Sequence, residues 1–398
     1  MAPPPRPHPL ARSRAARHAD RLIGSIWSSG LHPRPALEPD ALWRIGAQGH
    51  EPGDESFGRT AAEVADFRER LDMLCRSLRE EARLNALGHT MAYGQLTAAI
   101  HMRHALGRLW RTNPGIERTP VAPPIIVVGQ MRAGTTRMHR LLAADPAHAG
   151  TPLFCALNPV RRRIDLRPLK TRVGLAVART INPWVDTLHP FGATRVDEEL
   201  AWLSHALLPS AYEAQYAIPS YVAWSEARDA GAVYREFARV LRTDAALMGN
   251  ADRPRVLKCP QFAEDLPALL AQFPEARVVV TRRDTAQVLA STVSVVACQM
   301  AYQTDHASLD AIERNWARKL DLREARMDAA LAGFDGPLAE VDYAALNADW
   351  EGQIARVYAA LDLPLTPAAL GAMRAEQGRA ARQAHGAHGR AYREFAQA

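Results

Sequence analysis

The chain has 398 residues, 47% of them hydrophobic and 23% charged, which is enough to bury one large core or two smaller ones. A formal charge of +6 favours anionic ligands, but it is spread too diffusely to imply nucleic acid, and no RNA- or DNA-binding motif accompanies the arginines. Cys75, Cys155, Cys259 and Cys298 are scattered without metal-ligand spacing, which points to a reducing compartment rather than a disulfide scaffold.

Residues 1–20 are rich in Arg and Pro and have no apolar core, so they read as a disordered leader and not as a secretory signal. No apolar run reaches bilayer-spanning length, and the expectation is a soluble cytoplasmic protein. Residues 21–118 read as a helical extension. There Ala65, Leu71, Leu74, Cys75 and Leu78, and then Leu96, Ile100, Leu106 and Leu109, recur at helical spacing, with no catalytic constellation among them.

From residue 119 to the C-terminus the pattern becomes α/β. Ile125 to Val128 read as a buried strand, and Thr135 and Thr136 open a helix carrying Met138, Leu141 and Leu142. Backbone N–H groups at such a helix start bear partial positive charge and can cradle a phosphate or sulfate. Gly129-x-x-x-x-Gly134 has Walker A spacing, yet Thr135 stands where a nucleoside triphosphate loop places its lysine. The loop therefore suits a single anionic group better than a triphosphate.

Further along, LHPFGATRVDEELAWLSHALL offers His189 and the acids Asp197, Glu198 and Glu199 ahead of an apolar helix. An acidic helix start complements the helix dipole, but Glu198, Glu199 and His189 are also the available proton acceptors. Aromatics between 171 and 250, including Trp184, Trp202, Tyr212, Tyr216, Tyr221 and Trp224, belong to a core or to an acceptor pocket. RVLK then delivers Lys258 at a strand end. Lysine is found only at 170, 258 and 319, so its compact charge at that place is informative.

Phe262, Leu266, Leu269, Leu270 and Phe273 form a helical stripe stopped by Pro274, and Arg277 to Thr281 form the next strand, completing a βαβ unit. Asp284 reads as an N-cap with Gln287 as its capping-box partner. Arg283 and Ser291 flank this strand-to-helix junction, a planar fork and a hydroxyl suited to a phosphate, while strand alternation sends Arg282 to solvent.

VVGQMRAGTTRMHRLLAADP resembles the 5′-phosphosulfate loop of sulfotransferases that use 3′-phosphoadenylyl sulfate (PAPS), whose usual form is close to PRSGTT. TRRDTAQVLAS resembles their 3′-phosphate site, and EVDYAALNADWEGQIARVYAALDL the strand and helix that follow in bacterial members related to the tyrosylprotein-type enzymes. The resemblance runs from about residue 96 to the C-terminus. It implies a P-loop nucleotide-binding fold with a central parallel sheet flanked by helices. It also implies sulfuryl transfer from PAPS to a hydroxyl or amine of a small-molecule, carbohydrate or lipid acceptor, leaving adenosine 3′,5′-bisphosphate (PAP), with no metal required.

The donor residues implied by this likeness are Gln130, Arg132, Ala133, Gly134, Thr135, Thr136, Arg137, Arg283 and Ser291, joined by His388, Gly389, Arg390 and Tyr392 of the terminal HGAHGRAYREF. Lys258 is the implied catalytic cation; Glu198 or Glu199 is the implied base, with His189 in reserve. Two departures stand out. Ala133 replaces a serine, removing one hydroxyl donor, and Phe154-Cys155 occupies the place of a Trp-Glu pair. Two alternatives stay open: a noncatalytic PAP-binding relative that lacks a base, and a P-loop kinase. The kinase is disfavoured by the missing lysine and by VVVTRRD, a poor magnesium-binding strand.

Overall fold

The computed structural model describes residues 6–382. Its centre is a sheet of β1 (Ile125–Gly129), β2 (Val256–Lys258), β3 (Arg277–Arg282) and β4 (Leu338–Asp342), in the order β2-β1-β3-β4. Every pairing is parallel. The α/β expectation therefore holds, with one adjustment: β2 and β3 do not pair with each other, because β1 lies between them.

Strands covered on both faces need apolar residues at every position, and β1 is buried throughout. The period of two then sorts side chains between two cores. Ile126, Val128, Leu257, Val278 and Val280 face one cluster with Phe237, Phe262 and Leu266. Ile125, Val127, Val256, Val279 and Val341 face the other, with Met138, Leu141, Ile354 and Tyr358. Each helix row supplies only one apolar stripe, so the sheet is sandwiched rather than capped.

A third core holds the N-terminal extension. Leu71, Leu74, Cys75 and Leu78 of helix Ala61–Glu80 pack with Leu96 and Ile100 of helix Ala86–Thr112, and Tyr212, Tyr216 and Tyr221 fill the same cluster. Those three tyrosines are thus core residues, not an acceptor lining. The extension is joined to the rest at close quarters: Trp110 Nε1 donates to Thr243 Oγ1 at 2.9 Å, and a Cβ on Gly88 would lie 2.1 Å from the Gln303 carbonyl oxygen.

The leader expectation needs correcting over its described part. Helix Arg14–Ser28 starts inside it, capped by Ser13, and the Arg6 guanidinium donates to Ser294 Oγ at 2.9 Å. Ala16 is fully buried against Tyr302 and Leu87, so the missing apolar run did not prevent docking.

Candidate functional site

The site lies at the C-terminal ends of the strands, where β1, β3 and β4 end within one residue of one another and β2 ends two residues before β1. Lys258 pairs with Val127, Thr281 with Gly129, and Asp342 with Arg282. The β1 loop leads into helix Thr135–Leu142 through three residues in the positive-φ region: Gly129 (+150°), Arg132 (+69°) and Gly134 (+90°). Space as well as φ demands glycine at 134, since a Cβ there would meet the Tyr343 ring at 2.6 Å. Gly134 is also the N-cap and offers no side-chain cap, which leaves first-turn amides available to an anion.

Two guanidiniums converge on this loop. Arg132 Nε donates to Ser291 Oγ at 2.9 Å and its NH1 donates to the Leu188 carbonyl at 3.1 Å. Arg283 NH1 donates to the Arg132 carbonyl at 2.8 Å, and its NH2 donates to Gln287 Oε1 at 3.0 Å. The Arg283 guanidinium also lies 4.4 Å over the Tyr343 ring, and its buried Nε has no hydrogen-bond partner. Burial, and then the charge of Arg283, pull the Arg132 pKa down. Two neighbouring cations and a spare donor make a place where an anion is favoured.

Asp284 caps helix Thr285–Gln303 by accepting from Gln287 N, as read from the sequence. The Gln287 side chain turns to Arg283 instead of closing the box. Arg282 is turned to the opposite side, where Glu324, Asp328 and Glu340 pair with it. Acidic neighbours, rather than open solvent, are what separate it from Arg283.

Beside the loop, Lys258 Nζ meets Glu198 Oε2 at 2.5 Å, and Lys258 N donates to Glu199 Oε2 at 3.0 Å. The two glutamates differ sharply. Glu198 keeps part of its surface, whereas Glu199 is fully buried; burial pushes its pKa up to about 7, and its Oε1 has no partner. Glu199 thus stands behind Lys258 and has no surface to offer an acceptor.

His189 Nε2 lies 2.9 Å from Asp197 Oδ1, and Arg140 lies 3.6 Å from the same carboxyl. Burial raises the Asp197 pKa, but His189, Arg140 and Lys258 outweigh it and hold the group well below the usual carboxylate range. One ligand atom each from His189, Asp197 and Glu198 falls within 4.8 Å of the others, a set that could hold a metal. Lys258 and Arg140 already neutralise those carboxylates, so a cation there would compete with two resident charges.

Not every residue singled out in the sequence turns toward this centre. The Gln130 amide points away, donating to the Leu320 carbonyl at 2.7 Å, and Arg137 NH1 reaches Asn347 Oδ1 at 2.6 Å. Ala133 and Thr135 are buried in the loop, and Thr136 is half-buried. Cys155 lies in the interior with its Sγ 3.7 Å from Met248 Sδ, and burial raises its pKa, so it offers no replacement base. His388, Gly389, Arg390 and Tyr392 lie outside the described residues. Tyr343 escaped sequence reading; its only signal was its place directly after the strand in EVDY.

The loop after β1 thus lacks a Walker lysine, with Arg132, Arg283 and Ser291 beside it and Lys258 ending the neighbouring strand. The chain belongs to the sulfotransferase family, whose family model matches residues 123–367. Among solved structures it is similar to sulfotransferase STF1 from Mycobacterium tuberculosis H37Rv, at 27% identity over 86% of this chain and 93% of that one, with a TM-score of 0.75. It shares its fold with sulfotransferase STF9 from Mycobacterium avium, at 19% identity over 86% of this chain and 88% of that one, with a TM-score of 0.76. No curated protein matches the chain.

Proposed function

We propose that the chain transfers the sulfuryl group of PAPS to a hydroxyl or amine of a small-molecule acceptor, with Glu198 as the base. The observation that carries this reading is the Lys258–Glu198 pair at 2.5 Å, set at the sheet edge beside the anion-favouring Arg132, Ser291 and Arg283. First-turn amides with Thr135 and Thr136 would hold the 5′-phosphosulfate, and Arg283 with Ser291 the 3′-phosphate. Their benefit is positional, since transfer needs the acceptor oxygen, sulfur and leaving oxygen in line.

In the transfer the acceptor oxygen or nitrogen bonds to sulfur as the bond from sulfur to the bridging oxygen breaks. The electron pair goes to that oxygen, which leaves on PAP, and the acceptor proton passes to Glu198. Lys258 is the cation that meets the developing charge. Glu198 beside the lysine, where residue 155 offers no base, supports the catalytic reading over the noncatalytic alternative.

The test is the split between turnover and donor affinity. Glu198→Gln should lower kcat by roughly 10²- to 10⁴-fold, the usual worth of a positioned base, while PAP affinity by calorimetry stays within a few-fold. Unchanged turnover of PAPS in Glu198→Gln would remove Glu198 from the mechanism.

A further inference from the structure

Helix Arg167–Ile181 is left largely uncovered by the fold. Its buried residues are Arg167 and Thr171. At 3.6 residues per turn, Leu169, Val173 and Val177 form one stripe on the side opposite those two. These three residues, with Ile164 and Leu166 just ahead of them, are between 49% and 72% exposed. Lys170 flanks the stripe on one side and Arg172 and Arg179 flank it on the other.

Charge identifies what covers this face. Residues 161–181 carry seven basic side chains, of which Arg167 pairs with Asp165 and Arg179 with Asp186, leaving Arg161, Arg162, Arg163, Lys170 and Arg172 as the excess. Arg161, Arg162, Arg163, Lys170 and Arg172 are exposed. A second copy docked by the same face would set this excess against itself, at a cost in repulsion and desolvation. An anionic lipid surface instead takes both parts, with the stripe entering the acyl boundary and the long basic side chains reaching back to head groups. No helix among the described residues is long and apolar enough to cross a membrane, so the contact is one of lying on the surface.

We propose that helix Arg167–Ile181 docks the protein on anionic membranes. The helix runs into the short helix Val185–Leu188, whose Leu188 carbonyl accepts from Arg132. Docking therefore sets the loop of His189 and Glu198 beside the lipid interface, where amphiphilic acceptors would be met.

The experiment is flotation with phosphatidylcholine vesicles, with and without phosphatidylglycerol. It compares the wild type, the triple variant Leu169→Ser, Val173→Ser, Val177→Ser, and the double variant Lys170→Glu, Arg172→Glu. The wild type should partition onto the phosphatidylglycerol vesicles and be released by salt. Each variant should lose about tenfold or more of that partitioning, through apolar area or through charge. Because the altered side chains are exposed, the variants should keep the wild-type circular dichroism and PAP affinity, which separates failure of docking from failure of the donor site. Absence of wild-type flotation, or flotation of the triple variant equal to wild type, overturns the proposal. So does a wild-type dimer that the triple variant converts to monomer, which would assign the face to a second copy.

Discussion

Glu198 and Glu199 are adjacent in sequence and were equally good candidates for the base, yet the fold gives them opposite environments. The sequence could not separate them, because the choice depends on how the turn before helix Leu200–His205 meets β2 from 59 and 60 residues away. Burial of Glu199 has a measurable consequence. Its pKa rises from 4.5 to about 7, so within that window the folded protein keeps a proton that the unfolded chain has released. Stability therefore falls as pH rises through the window, by an amount on the order of 3 kcal/mol at full ionisation. Urea unfolding from pH 4.5 to 8 should show this loss in the wild type and a flatter profile in Glu199→Gln. Parallel profiles for the two proteins would mean that Glu199 does not titrate in the folded state.

Among elements, the Gly129–Gly134 loop and the strand-to-helix junction capped by Asp284 were the most legible, because each depends on local chemistry. Glycine at 129 and 134 and the Asp284 cap needed no knowledge of distant contacts. Sheet order and the role of Tyr343 were not legible, since both arise from pairing between strands far apart in the chain. The two kinds of information meet at Gly134, whose φ of +90° is local and whose neighbour Tyr343 is not. Gly134→Ala incurs the left-handed penalty of roughly 1–2 kcal/mol and must also displace the ring over which Arg283 lies. It should weaken PAP binding by about tenfold or more, the equivalent of ~1.4 kcal/mol, in calorimetry. Wild-type affinity in Gly134→Ala would show that the loop tolerates a Cβ and that Tyr343 does not brace it.

At the scale of the whole molecule, the scarcity of lysine did not tell a site residue from a structural one. It singled out Lys258 at the site, and the same argument applies to Lys319, whose work is structural. Lys319 Nζ is buried within reach of Glu213 (3.1 Å), Glu226 (2.8 Å) and Glu264 (2.7 Å), while Arg323 bonds to Glu213 and Glu264 from one turn further on. Their charges overcome burial and raise the Lys319 pKa. This cluster ties helix Leu309–Leu331 to three others, a convergence that residue type alone cannot announce. Lys319→Met leaves the carboxylates short of a cation and should cost about 3–5 kcal/mol in urea unfolding, with PAP affinity unchanged in the surviving folded protein. A loss under 1 kcal/mol would show that Arg323 suffices to neutralise the cluster.

The donor site is the part of the account on which the reaction rests, and calorimetric titration of PAP into the wild type and Arg283→Ala tests it most directly, with adenosine 5′-monophosphate and Mg-ATP as comparators. The account predicts tight binding of PAP, weaker binding of the monophosphate, and a loss of at least tenfold for PAP in the variant, about 1.4 kcal/mol. Binding of Mg-ATP in preference to PAP, or PAP affinity untouched by Arg283→Ala, would contradict it.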